Sequence, residues 1–432
     1  MLVLVAVVFL LPSVFAPGSL STPSALLASA GVVAAMIRRS ASAGASVPPP
    51  LWPVCLTLVH VAFLAVITWG GGSAVSASLV VVCALSLVTV VAAQRITASD
   101  LMVLGVGLLV LGGLELLVSV LELTGLMAPT WGIAEGDIVG VRLNPFLPEE
   151  VPRVQGTVGH PTLLAVLFLV CVIVVLQMTR DRRLAVRLLS LSPFLAGIVL
   201  TGTRSVVIVT AAVLLWRLLA DPRSVSRLTA ALVLGGAASV VAVLFGPGIS
   251  AYFTGIARET TESGSFSHRA AGLDAIGPLL DRDPLAVLFG SGHDTAPLFA
   301  GGLLQQDGFN VIDNQIVTTL ATTGVVGLLV LTVTALLAAL QGDRLSRTLL
   351  LGCLLMFLAV DFIHVLTDSL VVFYASIGLS ANPSRRPTDG LGPRRVSSGG
   401  HSRGGAEIRR AVRRSTRVPA EGPLVRSGRH SL

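Results

Sequence analysis

The sequence predicts an all-α fold, a polytopic transmembrane helix bundle of about twelve spans with one long, partly helical extracytoplasmic loop. Three observations lead there. Hydrophobic residues make up 53% of the 432 and charged residues only 12%, with a mean hydropathy of +0.86, outside the range of soluble domains. Apolar runs long enough to cross a hydrocarbon core of about 30 Å recur along the chain. Arginines fall on alternate connections between those runs, as the positive-inside rule requires of a multi-pass protein.

The candidate spans are 2–16, 22–37, 52–70, 75–93, 101–125, 161–178, 185–202, 205–220, 227–246, 315–340, 348–366 and 367–380. The first lacks a basic stretch ahead of it and is followed by more spans, so it reads as a span and not as a cleaved leader. Arg38 and Arg39, Arg95, the cluster Arg180, Arg182 and Arg183, then Arg217, Arg223 and Arg227, then Arg344 and Arg347 share one side. An even number of crossings with both termini cytoplasmic satisfies every cluster, so residues 1–380 read as a multi-pass membrane domain. The tail 381–432 holds twelve Arg against Asp389, Glu407 and Glu421 and few apolar groups. Such a composition cannot bury a core and reads as a disordered cytoplasmic segment beside anionic headgroups, with nucleic-acid binding the weaker reading. Cys55, Cys83, Cys171 and Cys353 lie in apolar runs without metal or disulfide spacing and read as packing residues.

The connections left outside are acidic or neutral. The longest, 246–313, has eight acidic residues against three Arg, and loops of such length are usually functional or disordered. Within it, Ala271, Leu273, Ala275, Ile276, Leu279 and Leu280 recur at near-helical spacing, which predicts an amphipathic helix on the membrane surface. FGSGHDT after it reads as a glycine-rich turn.

Four polar constellations mark the outer ends of the spans. In RVQGTVGHPT, Arg153, Gly156, Gly159 and His160 precede Pro161, which opens a helix. TGTRS puts Arg204 in a tight turn between two spans, where it either snorkels or binds an anion. His268 and Arg269, then Gly290, Gly292, His293 and Asp294, come from the long loop; lone histidines there are more often solvated than functional. Asp313 and Asn314 precede a span with Gly324 and Gly327, two positions suited to close backbone packing.

In order, these blocks resemble the O-antigen ligase and polymerase family of bacterial membrane glycosyltransferases. The resemblance rests on GTVGHP at 156–161, Thr203–Arg204, His268–Arg269, GSG at 290–292, and Asn314 followed by nine residues to Gly324 and then Gly327. It covers residues from about 150 to 380. One departure stands out: the family's histidine before Asn is Asp313 here.

The resemblance implies a polyprenyl-diphosphate-linked glycan donor and transfer to the hydroxyl of a glycan or lipid-glycan acceptor outside the cytoplasmic membrane, in assembly of a cell-surface polysaccharide. Catalytic candidates are Asp313, His293 and Arg269; substrate-binding candidates are Arg153, His160, Arg204, His268 and Asn314. Arginine suits the diphosphate because its charged planar fork binds phosphate oxygens bidentately. Asp313 reads either as the general base or as a cap of the following helix, in which case His293 or the pair Glu259 and Glu262 would take the proton. No Asp, Glu or His arrangement has metal-ligand spacing, so metal-independent catalysis without a cofactor is expected. The alternative is a non-enzymatic flippase of the same lipid-linked sugars, for which Glu115, Glu122, Asp361 and His364 could line a path.

Overall fold

In lipid a spanning segment must satisfy its own backbone hydrogen bonds, and long apolar runs therefore become helices. A computed structural model describes residues 48–68, 73–128, 143–147, 151–219, 271–292, 294–304, 312–360 and 367–383. These fall within one of two compact units, Met1–Arg386; the other, Pro387–Leu432, lies outside the described residues. Among the described residues the chain is helical and has no named strand, only an isolated bridge between Leu143 and Pro152. The helices are α1 (Trp52–Thr68), α2 (Ser73–Gln94), α3 (Ala98–Leu123), α4 (Pro161–Met178), α5 (Leu184–Leu200), α6 (Arg204–Leu219), α7 (Ile276–Leu280), α8 (Pro284–Phe289), α9 (Ala296–Ala300), α10 (Gln315–Gln341), α11 (Arg344–Met356) and α12 (Thr367–Ser380). Three of them, α3, α4 and α10, are long and apolar enough to cross a membrane.

The central helix is α4, apolar around its whole circumference and buried along nearly all its length, which is the pattern of a helix surrounded by others. It packs against α3, α5, α6, α11 and α12. Small residues let two neighbours approach: a Cβ on Gly197 of α5 would stand 2.7 Å from the Phe168 ring, and one on Gly112 of α3 would stand 2.6 Å from Cys171 Sγ. Helix packing in lipid depends on such close fit, because lipid chains compete equally for apolar surface.

Terminal contacts sort the helix ends into two groups. At one end Trp52 donates to Gln341 at 3.1 Å, Gln94 to the Pro50 carbonyl at 2.9 Å, and Asn382 to the Ala93 and Ile96 carbonyls. Arg217 donates to the Leu176 carbonyl there, and Arg344 to the Arg217 carbonyl. At the opposite end Glu122 of α3 accepts from the segment leading into α4, and the Gln315 amide that opens α10 donates to the Phe357 carbonyl just past α11. Since α6 and α11 run antiparallel from the Arg344–Arg217 contact, Arg204 lies at the same end as Gln315.

Expected spans 2–16, 22–37 and 227–246 and the tail beyond residue 383 lie outside the described residues. One expectation needs correction. The span expected over 348–366 is a helix that stops at Met356, because the chain turns at 357–359, where Phe357 is held by Gln315 and by the Phe373 ring, 5.1 Å away between centroids. The run 271–280 is helical as expected, with one turn at Ala275. Pro278 cannot donate back to residue 274, and Ala275 and Leu279 pack into protein against Val317, Leu320 and Ala321 of α10.

Candidate functional site

The polar constellations that the sequence singles out gather at the second group of helix ends. The segment entering α4 is held by two carboxylates of α3. Glu122 Oε2 accepts from the Gln155 and Gly156 amides at 2.8 and 3.1 Å. Glu115, buried two turns deeper, accepts from the Thr157 amide at 3.0 Å and from the Thr157 hydroxyl. Two of the four residues that a transport path would use are thus engaged in fixing a loop; Asp361 and His364 lie outside the described residues. His160 ends the segment as the N-cap of α4, its Nδ1 accepting from the Thr162 amide at 3.2 Å, ahead of Pro161 at the first helical position.

The turn between α5 and α6 is gripped from the same segment. Arg153 Nε donates to the Thr201 carbonyl at 2.8 Å and its Nη2 to Thr203 Oγ1 at 2.9 Å. Asn144 donates to the Val199 and Leu200 carbonyls at 2.9 and 2.7 Å. These donors satisfy carbonyls that a helix C-terminus leaves open, and the Arg153 charge complements the negative end of α5. Arg204 then begins α6, half-buried.

The third feature is a break inside α10. Gly324 has φ 67° and ψ −165°, a conformation essentially confined to glycine, so the helix is two helical halves meeting at a kink. The break frees carbonyls in the preceding turn, and the long loop satisfies them. Ser291 and Gly292 amides donate to the Ala321 and Thr322 carbonyls at 2.9 and 3.0 Å, and Arg282 donates to the Leu320 carbonyl at 3.1 Å. The same guanidinium donates to Ser291 Oγ at 2.7 Å and to the Leu279 carbonyl at 2.8 Å. Burial lowers the Arg282 pKa from its ordinary value, yet an arginine remains charged at neutral pH. Gly290, with φ 79°, faces the backbone of Thr322 and Thr323 so closely that a Cβ would overlap it. Four threonines ahead of the break, Thr318, Thr319, Thr322 and Thr323, are buried, and each hydroxyl donates to the carbonyl four residues back.

Asn314, not Asp313, caps α10: its Oδ1 accepts from the Ile316 and Val317 amides at 2.9 and 3.2 Å, and the residue is 2% exposed. This corrects the capping alternative for Asp313, which stands half-buried one residue earlier. The structure therefore brings Arg153, His160, Arg204, Asp313 and Asn314 to one end of the bundle. His268, Arg269 and His293, like Glu259 and Glu262, lie outside the described residues. Arg282 escaped the sequence reading because a lone Arg between Asp281 and Asp283 looks like a solvated charge run. No sequence signal marked it, since the close approach of Gly290 and Gly324 at the helix break is seen only in the fold.

An apolar cavity of about 270 Å³, lined by residues such as Leu104, Gly105, Val174, Leu345 and Leu379, lies at the other end. It is not the candidate site, since no charged side chain lines it. Among the described residues no group of three or more His, Cys, Asp or Glu is placed to hold a metal ion.

Replacing Arg282 with alanine is expected to loosen the seal while leaving the bundle intact. Hydrogen bonds from a charged donor are worth about 1.5–3 kcal/mol each where buried, so the Ser291 and Gly292 amides should exchange with solvent about tenfold faster or more. Lysine, with a single ammonium in place of the fork, should restore little of the protection. Unchanged exchange at both amides in R282A would remove Arg282 from this role.

Residues 188–332 match the family model described as O-antigen ligase. The matched region runs from within α5 to beyond the α10 break and includes Arg204, Arg282, the Gly290–Gly292 turn, Asp313 and Asn314; Arg153 and His160 precede it. No curated protein matches the chain.

Proposed function

We propose, from the match of residues 188–332 to the O-antigen ligase family model, that this protein is a membrane glycosyltransferase of that kind and transfers a glycan from a polyprenyl diphosphate to an acceptor hydroxyl at the extracytoplasmic face. The observation that carries the reading is that the matched region brings the Arg204 turn and the Asp313–Asn314 entry to α10 to one end of an apolar bundle. Arg95, Arg180, Arg182, Arg183, Arg187, Arg217, Arg344 and Arg347 cluster at the other end, which supports the polar end being the external one. Residues 1–380 then form the membrane domain and 381–432 a cytoplasmic tail.

In the reaction the bond from the anomeric carbon to the diphosphate oxygen breaks and a bond to the acceptor oxygen forms. Polyprenyl diphosphate leaves with the electron pair, and the acceptor proton passes to a base. Charge accumulates on the diphosphate as the bond breaks, and fixed cations aimed there accelerate the step most in a water-poor site. Arg204 and Arg269 are assigned to that charge. Arg153 supports them by holding the Thr201–Thr203 turn, and His160, His268 and Asn314 line the substrate path, His160 and Asn314 from helix-capping positions. Asp313 or His293 takes the proton, and the reading gives no step to a metal or cofactor.

The test is covalent. Purified protein in detergent, given a polyprenyl-diphosphate-linked oligosaccharide and an acceptor glycan, is expected to yield a joined product and free polyprenyl diphosphate. Absence of any new glycosidic bond in a properly folded preparation would overturn the proposal and favour a flippase, which changes no bond. The same assay assigns the base: since Asn314 does the capping, D313N leaves the helix start intact, and a stable but inactive D313N that D313H restores identifies Asp313 as proton acceptor.

A further inference from the structure

α8 carries an exposed apolar face. Leu285, Leu288 and Phe289 are 66%, 43% and 38% exposed, spaced as one side of a helix, while Ala286 and Val287 are half-buried. The helix is fixed to α10 at the Gly324 break through the turn that follows it, since Ser291 and Gly292 donate to Ala321 and Thr322.

The height of that attachment follows from α10 itself. Its second half, Val325 to Gln341, is about 25 Å long at about 1.5 Å per residue, close to the hydrocarbon thickness of about 30 Å. The Gln341 end is marked as a membrane boundary by the Trp52 indole bonded to it and by Arg344 and Arg347 just beyond. The Gly324 break therefore lies near the opposite boundary, and α8 with it. From one residue past the break, Val325, Leu329, Val333, Leu336 and Leu340 form an exposed stripe along one face of α10. On a membrane-crossing helix such a stripe meets lipid chains. Asp281, Arg282 and Asp283 directly precede α8, which places charge on the headgroup side.

We propose that α8 is an interfacial anchor whose Leu285, Leu288 and Phe289 insert into the bilayer at the boundary of headgroups and acyl chains, its ligand being the bilayer lipid. The inference is independent of glycosyl transfer. It adds a membrane contact one turn past the 271–280 run, in which Ala275 and Leu279 are buried in protein. Docked on α10 from one side and held in lipid from the other, the Gly290–Gly292 turn is fixed relative to the membrane plane.

Spin labels test it. In a chain whose Cys55, Cys83, Cys171 and Cys353 are replaced, single labels at Leu285→Cys, Leu288→Cys and the exposed Asp274→Cys are read in phosphatidylcholine and phosphatidylglycerol liposomes. Expected at 285 and 288 are collisions with oxygen exceeding those with a water-soluble nickel chelate, with the reverse at 274. Nickel collisions dominating at 285 and 288, or shielding from both reagents, would overturn the proposal, the second result pointing to a protein cover. A photoactivatable phospholipid with its diazirine near the acyl carbonyl gives a second reading in the unmodified protein. Adducts on the 284–289 peptide are expected, and none at labelling levels that mark α10 would overturn it.

Discussion

Alanine at Gly324 is expected to straighten α10 and expel the loop from it. The native conformation, φ 67° and ψ −165°, costs a side-chain-bearing residue about 1–3 kcal/mol. A Cβ there would also overlap the Leu288 carbonyl oxygen and stand 2.6 Å from the Gly290 amide nitrogen. Both are backbone atoms with no rotamer to turn away. Alanine simultaneously favours uninterrupted helix over glycine by about 1 kcal/mol, so the Ala321 and Thr322 carbonyls would recapture amides four residues on and release Ser291 and Gly292. The expected result is protein that still inserts in the membrane, loses protease resistance over 285–292, and falls at least about tenfold in glycan transfer. G290A should act likewise, since its Cβ would strike the Thr322 carbonyl. Because both substitutions break one contact, G290A combined with G324A should cost little more than either alone. Wild-type transfer and protease resistance in G324A would mean that the turn does not dock at the break.

Much of the bundle was legible in the sequence for a physical reason: a helix in lipid needs an unbroken apolar run, and the run shows its ends. Pro161–Met178 and Arg204–Leu219 fall within a residue of the spans expected at 161–178 and 205–220. The break in α10 was illegible, because ATTGVVG is small and apolar enough to read as continuous helix and the cause lies in Leu288 and Gly290, distant in sequence. Gly327 also fits its expected role poorly, since a Cβ there would meet the Thr323 side chain of the same helix and not a second backbone. At the site, residue types pointed to the right end of the bundle, but roles among neighbours did not follow from type. Asn314 and Asp313 are both good caps, and only the geometry shows which one turns toward the helix. Glu115 and Glu122 looked like intramembrane charges on a path, whereas the amides of 155–157 are what make them affordable there.

The two arginines of the α5–α6 turn should separate structure from chemistry. Arg153 spends at least two of its donors on Thr201 and Thr203, so R153A removes the grip on the turn, and the yield of folded protein should fall along with transfer. Arg204 opens α6 at its first residue, half-buried, and is assigned to the diphosphate and not to holding the turn. R204A should therefore insert and fold normally yet lose transfer by on the order of 100-fold or more, the scale seen when one fixed donor to a developing oxyanion is removed. Lysine at 204 keeps the charge but not the planar fork and should recover only a small part of the loss. If Arg204 binds the diphosphate, free polyprenyl diphosphate, which as the leaving product is expected to inhibit the wild type, should inhibit R204A less, in step with the loss of transfer. A folded R204A with full transfer would leave Arg204 as a snorkelling residue, and a misfolded R204A beside a stable R153A would reverse the two assignments.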